Sequence, residues 1–265
     1  MPSTPALSPA ALAALPDEPL LEAVQRQTFR YFWEGAHPDS GLAFDRLTRV
    51  GVPGAALDAH LAQTLIPALN RLNVKVGAFQ PMEYAKDEPR RRYLLLVHSS
   101  AEAYLKARRE LWNDATYRAA AQPFFDSSAA KPVYSNFETH ICEDFESIPQ
   151  MRVPDKNRGL FEFRLYRSPN EEANRRKVAM FNNGEIQIFD ETGINSVCYG
   201  EVLAGSKMPS LIYLTWYENM EKRNAAWGKF QKHPRWIEMK KDPKYARTAT
   251  DNTRLLVLPL PYSQF

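Results

Sequence analysis

Residues 93–97, YLLLV, decide the fold, because a stretch of the same character, IYLTW, stands at residues 212–216, about 119 residues further along the chain. In both places a polar run with helical spacing follows the apolar stretch. Residues 159–167, GLFEFRLYR, have a partial counterpart at 41–49, GLAFDRLTR, at a similar spacing. Because several elements recur in the same order, the sequence predicts a duplicated structural unit.

Each unit is predicted to contain a strand, a helix, two strands, a helix and a final strand. In the second unit Phe161, Phe163 and Leu165 alternate with polar residues, which is typical of a half-buried strand. Asn170 is a plausible cap for the helix that follows, and Gly184 is expected to interrupt that helix. This βαββαβ plan is that of a ferredoxin-like sheet, which carries helices on one face only. A second copy can cover the other face, so that the two sheets close into a barrel.

The predicted fold class is therefore α+β, with two ferredoxin-like units of the dimeric α/β-barrel type in tandem, preceded by an N-terminal helix. Residues 1–40 are interpreted as an Ala/Pro-rich lead-in and an accessory helix. Residues 41–150 form the first, degenerate unit, and residues 159–265 form the second. The first strand of the first unit, at 42–49, is the weakest element of the prediction, because its alternation of apolar and polar residues is broken.

Composition excludes several classes of function. The net charge of +3 over 265 residues is too small to indicate nucleic-acid binding. Cys142 and Cys198 lack metal or redox spacing and are predicted to be small core residues. No motif indicates a metal or another cofactor, and no apolar run has the length of a membrane span. Without a recognisable secretion signal, a cytoplasmic protein is expected.

Four stretches of the second unit resemble the NIPSNAP family: 161–167 (FEFRLYR), 180–186 (MFNNGEI), 211–217 (LIYLTWY) and the helix that contains Trp227. The resemblance is strong over 160–265 and moderate over 57–145. It implies dimeric α/β-barrel modules, which often occur in tandem, and a family whose biochemical role is poorly defined. Cofactor-independent monooxygenases and haem-degrading enzymes share this kind of fold, but a shared fold does not transmit chemistry.

The first fifty residues are similar to a different family. Residues 20–33 (LLEAVQRQTFRYFW) and 37–43 (HPDSGLA) resemble the opening helix and turn of bacterial glucoamylase-like glycoside hydrolases. The match covers about thirty positions, and no later part of such a hydrolase follows. Two interpretations stay open: an amphipathic helix that packs on the barrel, or a junction between unrelated genes.

The candidate site is the row Glu162, Arg164 and Tyr166, which alternation places on one face of a strand. That face is either the seam inside the barrel or the floor of a pocket. One interpretation is a structural ion pair that holds the two sheets in register, because a buried charge must be paired. The other is a ligand site in which Arg164 holds an anionic group and Tyr166 donates a hydrogen bond.

Further residues are candidates for the same cavity. Asn182, Asn183 and Glu185 near the interrupted helix are expected to complete it. His60, on the predicted first helix of unit one, is the histidine with the best claim to a functional role. Three tryptophans, namely Trp216, Trp227 and Trp236, could supply apolar walls, although plain core packing is the favoured interpretation of each. The catalytic residues are not assigned.

Three hypotheses about the function can be compared against these residues. The main hypothesis is a non-catalytic barrel that binds a small apolar or acidic ligand or a protein partner, and that forms a homodimer if it self-associates. The alternative is a cofactor-independent monooxygenase-like enzyme that acts on an aromatic substrate. A glycosidase needs two placed carboxylates, which the N-terminal match does not supply. An enclosed pocket where an ionisable side chain meets apolar walls favours the enzyme, and a filled barrel favours the binding protein.

Overall fold

The computed structural model describes residues 41–49, 55–84, 90–126 and 133–265. Their strands are β1 (Gly41–Arg49), β2 (Lys75–Pro81), β3 (Arg90–His98), β4 (Asn136–Asp144), β5 (Leu160–Arg167), β6 (Asn195–Ala204), β7 (Ser210–Tyr217) and β8 (Asp251–Pro259). Their α-helices are α1 (Ala55–His60), α2 (Ile66–Arg71), α3 (Ala101–Asn113), α4 (Ala115–Phe125), α5 (Glu171–Met180), α6 (Ile186–Thr192), α7 (Met220–Lys232) and α8 (Pro234–Met239). The elements fall into two successive βαββαβ units, as the repeat predicts.

The eight strands form one closed barrel in the order β1-β3-β2-β8-β5-β7-β6-β4. Within each unit the spatial order is fourth, first, third, second, which is the ferredoxin-like order. The units join where β2 pairs with β8 and where β4 pairs with β6, both antiparallel. The predicted α+β fold class, with two ferredoxin-like units in tandem, is confirmed. The predicted N-terminal helix lies outside the described residues, and the domain limits stay a prediction.

Local sequence signals set the ends of the main helices. The side chain of Asn170 accepts a hydrogen bond from the backbone N–H of Ala173 at 2.8 Å, which confirms the predicted cap of α5. Ser100 caps α3 and Asn219 caps α7 in the same way. Gly184 has a φ of +131°, a conformation that favours glycine, and it separates α5 from α6 as expected.

The helices of each unit cover the outer face of its sheet, and the inner faces meet inside the barrel. One core lies under the helices of the first unit and another under those of the second. A third core fills the barrel with residues from both units, including Phe79, Phe161 and Val257. Cys142 and Cys198 are buried there as free thiols, so their predicted role as core residues is confirmed.

Strand β5 differs from its prediction, because both of its faces are covered. Glu162 is 0 % exposed, whereas a half-buried strand would leave it in water. Phe161, Phe163 and Leu165 belong to the barrel core or pack against it, and Tyr166 belongs to the core under the helices. The polar row therefore lies between the sheet and the helices of the second unit, and not at the seam inside the barrel.

The chain after the last strand of each unit continues along the strand of the other unit with which that last strand pairs. After β4, the backbone N–H of Phe145 donates to Tyr199 of β6. After β8, the N–H of Leu260 donates to Ala78 of β2, and Phe265 ends in the barrel core. These two returns extend the strand pairing at the two junctions.

Candidate functional site

Glu162 lies under helix α7 and is surrounded by five N–H groups. Arg164 approaches Oε1 with Nε at 2.8 Å and with a terminal nitrogen at 2.7 Å. Arg223 donates from Nε to Oε2 and from a terminal nitrogen to Oε1, each at 2.9 Å. The indole N–H of Trp227 donates to Oε2 at 3.2 Å. Burial opposes ionisation of Glu162, but the hydrogen bond from Arg223 and the charges of both arginines outweigh it, so the pKa lies below its ordinary value.

This arrangement bears out the expected pairing of Glu162 with Arg164 but corrects what the pair connects. Arg223 and Trp227 both belong to α7, so the carboxylate ties strand β5 to the helix of its own unit. It does not hold the two sheets in register. The reason is the direction of the row, which faces the helices and not the opposite sheet.

Arg164 connects the carboxylate to a pair of tyrosines. Its guanidinium carbon lies 3.8 Å from the centre of the Trp227 ring, a cation–π contact. Its NH1 donates to the hydroxyl of Tyr166 at 3.1 Å, and that hydroxyl lies 2.9 Å from the hydroxyl of Tyr213. Burial opposes the charge of Arg164, yet the neighbouring Tyr213, Tyr166 and Glu162 raise its pKa above its ordinary value.

A cavity of about 670 Å³ lies beside this network, between the sheet and helices α5, α7 and α8. That volume is within the range of about 300–1,000 Å³ typical of small-molecule sites. Aromatic side chains line it, and so do more basic than acidic residues. The aromatic residues are Tyr166, Trp227, Phe230, Trp236 and Tyr245, and the charged ones are Arg164, Lys177, Arg223, Lys240, Arg254 and Glu185.

A second ion pair lines the same cavity. The ammonium of Lys177 lies 2.9 Å from Oε2 of Glu185, and both side chains are buried. Its nitrogen also lies 4.5 Å from the centre of the Phe181 ring and 5.9 Å from that of Trp236. The cavity thus combines ionisable groups with apolar walls.

The remaining predicted residues divide between this cavity and other places. The amide of Asn183 donates to the hydroxyl of Tyr245 at 3.1 Å, so it orients a lining residue without lining the cavity itself. Asn182 accepts hydrogen bonds from Ser147. Trp216 packs against the barrel core, on the opposite face of the sheet, so the favoured interpretation, core packing, is confirmed for it and the alternative of a cavity wall is not. Strand alternation explains this, because the neighbouring positions on β7 face the helices.

His60 lies in the first unit, apart from the other predicted residues. Its ring stacks on Phe124 with centroids 3.8 Å apart, and its other aromatic neighbours, Tyr117 and Phe125, are also on α4. Among the described residues, its Nδ1 has no hydrogen-bond partner. Burial lowers the pKa of His60 to about 4, so the ring is neutral at physiological pH.

The sequence did not single out Arg223, Lys177 or Tyr213. A signal existed for Arg223, since it precedes Trp227 by four residues and therefore shares its helix face. Tyr213 alternates with two barrel-facing residues on β7, which places it beside the polar row. Lys177 offered no comparable signal, because its partner Glu185 lies beyond the break at Gly184.

Residues 161–264, less than half of the chain, match the NIPSNAP family model and so form a NIPSNAP-type domain. An uncharacterised NIPSNAP-like domain protein from Burkholderia xenovorans is 18% identical, with a TM-score of 0.37, over 41% of this chain and 91% of that one.

Two bacterial structures resemble most of the chain. A candidate monooxygenase from Fusobacterium nucleatum has a TM-score of 0.53 and 8% identity, over 84% of this chain and 94% of that one. Another from Lactobacillus acidophilus has a TM-score of 0.54 and 8% identity, over 83% and 94%. At this identity the likeness shows the fold alone.

One curated relative shares a short stretch with the chain. An exo-β-1,2-glucooligosaccharide sophorohydrolase (non-reducing end) from Parabacteroides distasonis is 55% identical over 38 residues. The match covers 14% of this chain and 5% of that enzyme. So short a stretch does not establish a shared activity.

Two further searches of the described residues concern metals and membranes. Within the described ranges, no group of three or more His, Cys, Asp or Glu side chains is placed to hold a metal ion. In the same part of the chain, no helix has both the length and the apolar character needed to cross a bilayer.

Proposed function

We propose that this NIPSNAP-type barrel binds a small organic anion with an aromatic or apolar body in the cavity of its second unit. The observation that carries the proposal is the sharing of one buried carboxylate, Glu162, by two arginines, Arg164 and Arg223, whose side chains are only 13% and 11% exposed. Two positive charges against one negative charge leave an excess at the edge of a cavity. A buried net charge is costly unless a further partner balances it.

The other lining groups support an anion with an apolar body. Lys177 and Glu185 balance one another, whereas Lys240 and Arg254 add positive charge. Trp236 and the other aromatic walls offer faces on which a ring can stack. A purely polar anion such as phosphate would leave those aromatic faces unused.

Anion binding is tested with the full chain and the fluorescent probe anilinonaphthalene sulfonate. We expect saturable binding with a stoichiometry of about one, since one cavity carries the proposal. Trp236→Ala removes a wall and should weaken binding roughly tenfold, the loss expected when an aromatic stacking contact is removed. Trp112→Ala is the matched control, because Trp112 is a 52 % exposed tryptophan of the first unit.

Two results would count against the proposal. If Trp236→Ala and Trp112→Ala bind the probe equally well, the probe binds outside the cavity. If wild-type protein shows no saturable binding, the cavity does not bind anions of this class. Native mass spectrometry of freshly purified protein supplies an independent readout, in which a retained small anion is the expected species.

An oxygen-dependent enzyme acting on an aromatic substrate is the second candidate. It is favoured by the position of the Lys177–Glu185 pair, which lines the same cavity as Tyr166 and so places a possible proton acceptor near a bound ring. Oxygen uptake in the presence of electron-rich hydroxyarenes is the measurement. Uptake that Glu185→Gln abolishes would support catalysis, and uptake no faster than with buffer alone would leave the binding function.

A further inference from the structure

The hydroxyl protons of Tyr166 and Tyr213 can be placed by counting partners. The two oxygens lie 2.9 Å apart, so one hydroxyl donates to the other and one proton is left over. If Tyr166 donated, the remaining proton would belong to Tyr213, which is 0 % exposed and has no second partner among the described residues. A buried hydroxyl without an acceptor is disfavoured. Tyr213 is therefore the donor, consistent with a pKa that burial raises well above its ordinary value.

This orientation gives Tyr166 a particular role. Its oxygen accepts hydrogen bonds from Tyr213 and from NH1 of Arg164, so its own proton is available to a third partner. Tyr166 lines the cavity, whereas Tyr213 does not. The two incoming hydrogen bonds polarise the hydroxyl and make it a stronger donor toward a ligand.

The arginines, in contrast, do not present a fork to the cavity. Nε and a terminal nitrogen of Arg164 both approach Glu162, and so do those of Arg223. NH1 of Arg223 donates to Asn224. A carboxylate ligand is best held by two parallel N–H groups of one guanidinium edge. On both residues Glu162 occupies the edge formed by Nε and one terminal nitrogen, and the other terminal nitrogen already donates to Tyr166 or Asn224.

We infer that the ligand presents one anionic oxygen, as a hydroxyarene or enol bound in its deprotonated form, and that this oxygen accepts a hydrogen bond from the hydroxyl of Tyr166. The inference rests on the proposed function, because it names the class of anion for the same cavity. Arg164 supplies positive charge beside the oxygen, with Arg223, Lys177 and Arg254 around it, while Glu162 and Glu185 are each held by basic partners. The proton that the ligand loses on binding goes to the solvent.

The test compares two probes that share a ring and differ in the anionic group, para-nitrophenol and para-nitrobenzoate. Affinity is measured at a pH where both are ionised in solution. The phenolate should bind roughly tenfold more tightly, the worth of one hydrogen bond to a charged acceptor. At lower pH, the visible absorbance of the phenolate reports ionisation of bound phenol, whose acid dissociation constant should rise roughly tenfold or more.

Two variants remove members of the hydroxyl chain. Tyr166→Phe should abolish both the preference for phenolate and the change in acidity. Tyr213→Phe should reduce both, because Tyr166 then loses one incoming hydrogen bond. Tyr199→Phe is the matched control, since Tyr199 stacks on Tyr213 but its hydroxyl pairs with Ser196. Near-ultraviolet circular dichroism tests whether each variant is folded. If Tyr166→Phe does not fold, Tyr213→Phe still tests the inference.

The outcomes separate the two proposals. If para-nitrobenzoate binds as tightly as the phenolate, or if bound phenol keeps its solution acidity, the inference is overturned while anion binding stands. A phenolate preference that persists in both Tyr166→Phe and Tyr213→Phe also overturns it. If neither probe nor anilinonaphthalene sulfonate binds, both proposals fail.

Discussion

Replacing Glu162 by glutamine removes one charge from the centre of the polar cluster and hardly changes its shape. The side chains of Arg164 and Arg223 are only 13% and 11% exposed, and both lose their carboxylate. Breaking a buried ion pair by removing one partner typically costs about 3–5 kcal/mol of unfolding free energy. Two arginines lose their partner, which moves the expected loss of unfolding free energy toward the upper end of that range. Solvent that reaches the cavity screens both charges and moves it back, so we expect a value within the range.

Replacing Glu162 and Arg164 together would still leave a charge without its partner, because Arg223 is a third member of the cluster. Arg223→Met leaves Glu162 with Arg164 and Trp227, so the loss should be about 1.5–3 kcal/mol, as for hydrogen bonds to a charged group. Replacing Glu162 by leucine and both arginines by methionine removes every charge at once. That triple variant should be more stable than Glu162→Gln, since no charge is left unpaired.

Urea unfolding followed by tryptophan fluorescence measures these differences, provided that the slope of the transition is unchanged. Glu172→Gln is the control, because Glu172 is 70% exposed and pairs with Arg176 on the surface of α5. Its unfolding midpoint should match that of wild type. A loss below about 1 kcal/mol for Glu162→Gln would refute the argument, because it would place the cluster among wet surface ion pairs.

Three pH dependences follow from the shifted groups. Folding lowers the pKa of Glu162 from 4.5, so the stability that its charge contributes is fully present above pH 4.5. This contribution is lost as the pH falls through the folded-state pKa. The difference in unfolding free energy between wild type and Glu162→Gln should therefore become smaller in acid. His60 has a pKa of about 4 against 6.5 when unfolded, so wild type should lose stability as the pH falls from 6.5 toward 4, and urea titrations of His60→Phe should lack this component. Burial raises the pKa of Asp144 from 3.8 to about 7, so between these values the folded state holds a proton that the unfolded state has lost. Stability therefore falls as the pH rises from 3.8 toward 7, and the gain in melting temperature from Asp144→Asn should grow over this range and level off above it. If any one of these three substitutions changed stability equally at every pH, the pKa shift assigned to that residue would be contradicted.

The fold was predictable because the strongest signals recur. The strand β3 and its counterpart β7 are each followed by a capped helix, so the alignment of one unit with the other carried several independent elements. The weak strand at 42–49 forms despite its broken alternation. β1 pairs with β3 on one side and with β4 on the other, so closure of the barrel supplies what local preference does not.

The candidate site was predictable only along one strand. Alternation places Glu162, Arg164 and Tyr166 on a common face, but it does not say which face meets the helices when both faces are buried. The partners of the row come from elsewhere in the chain: Arg223 lies 61 residues from Glu162, and Tyr213 lies 47 residues from Tyr166. Tertiary packing alone brings these side chains together. His60 was grouped with them because helix position does not reveal which of two similar units supplies a cavity.

The first unit also has an ion pair that connects a strand to a helix, between Arg92 of β3 and Asp58 of α1. There Arg92 donates from Nε and a terminal nitrogen to the two oxygens of Asp58, at 2.7 and 2.8 Å. Tyr262, from the chain after β8, donates to the same carboxylate at 2.6 Å. The proton of Tyr262 is thus already used in a hydrogen bond within the protein. In the second unit two guanidiniums share one carboxylate, and the proton of Tyr166 is left for the cavity. The two units therefore differ in where a tyrosine proton is directed, and this difference favours the second unit as the ligand site.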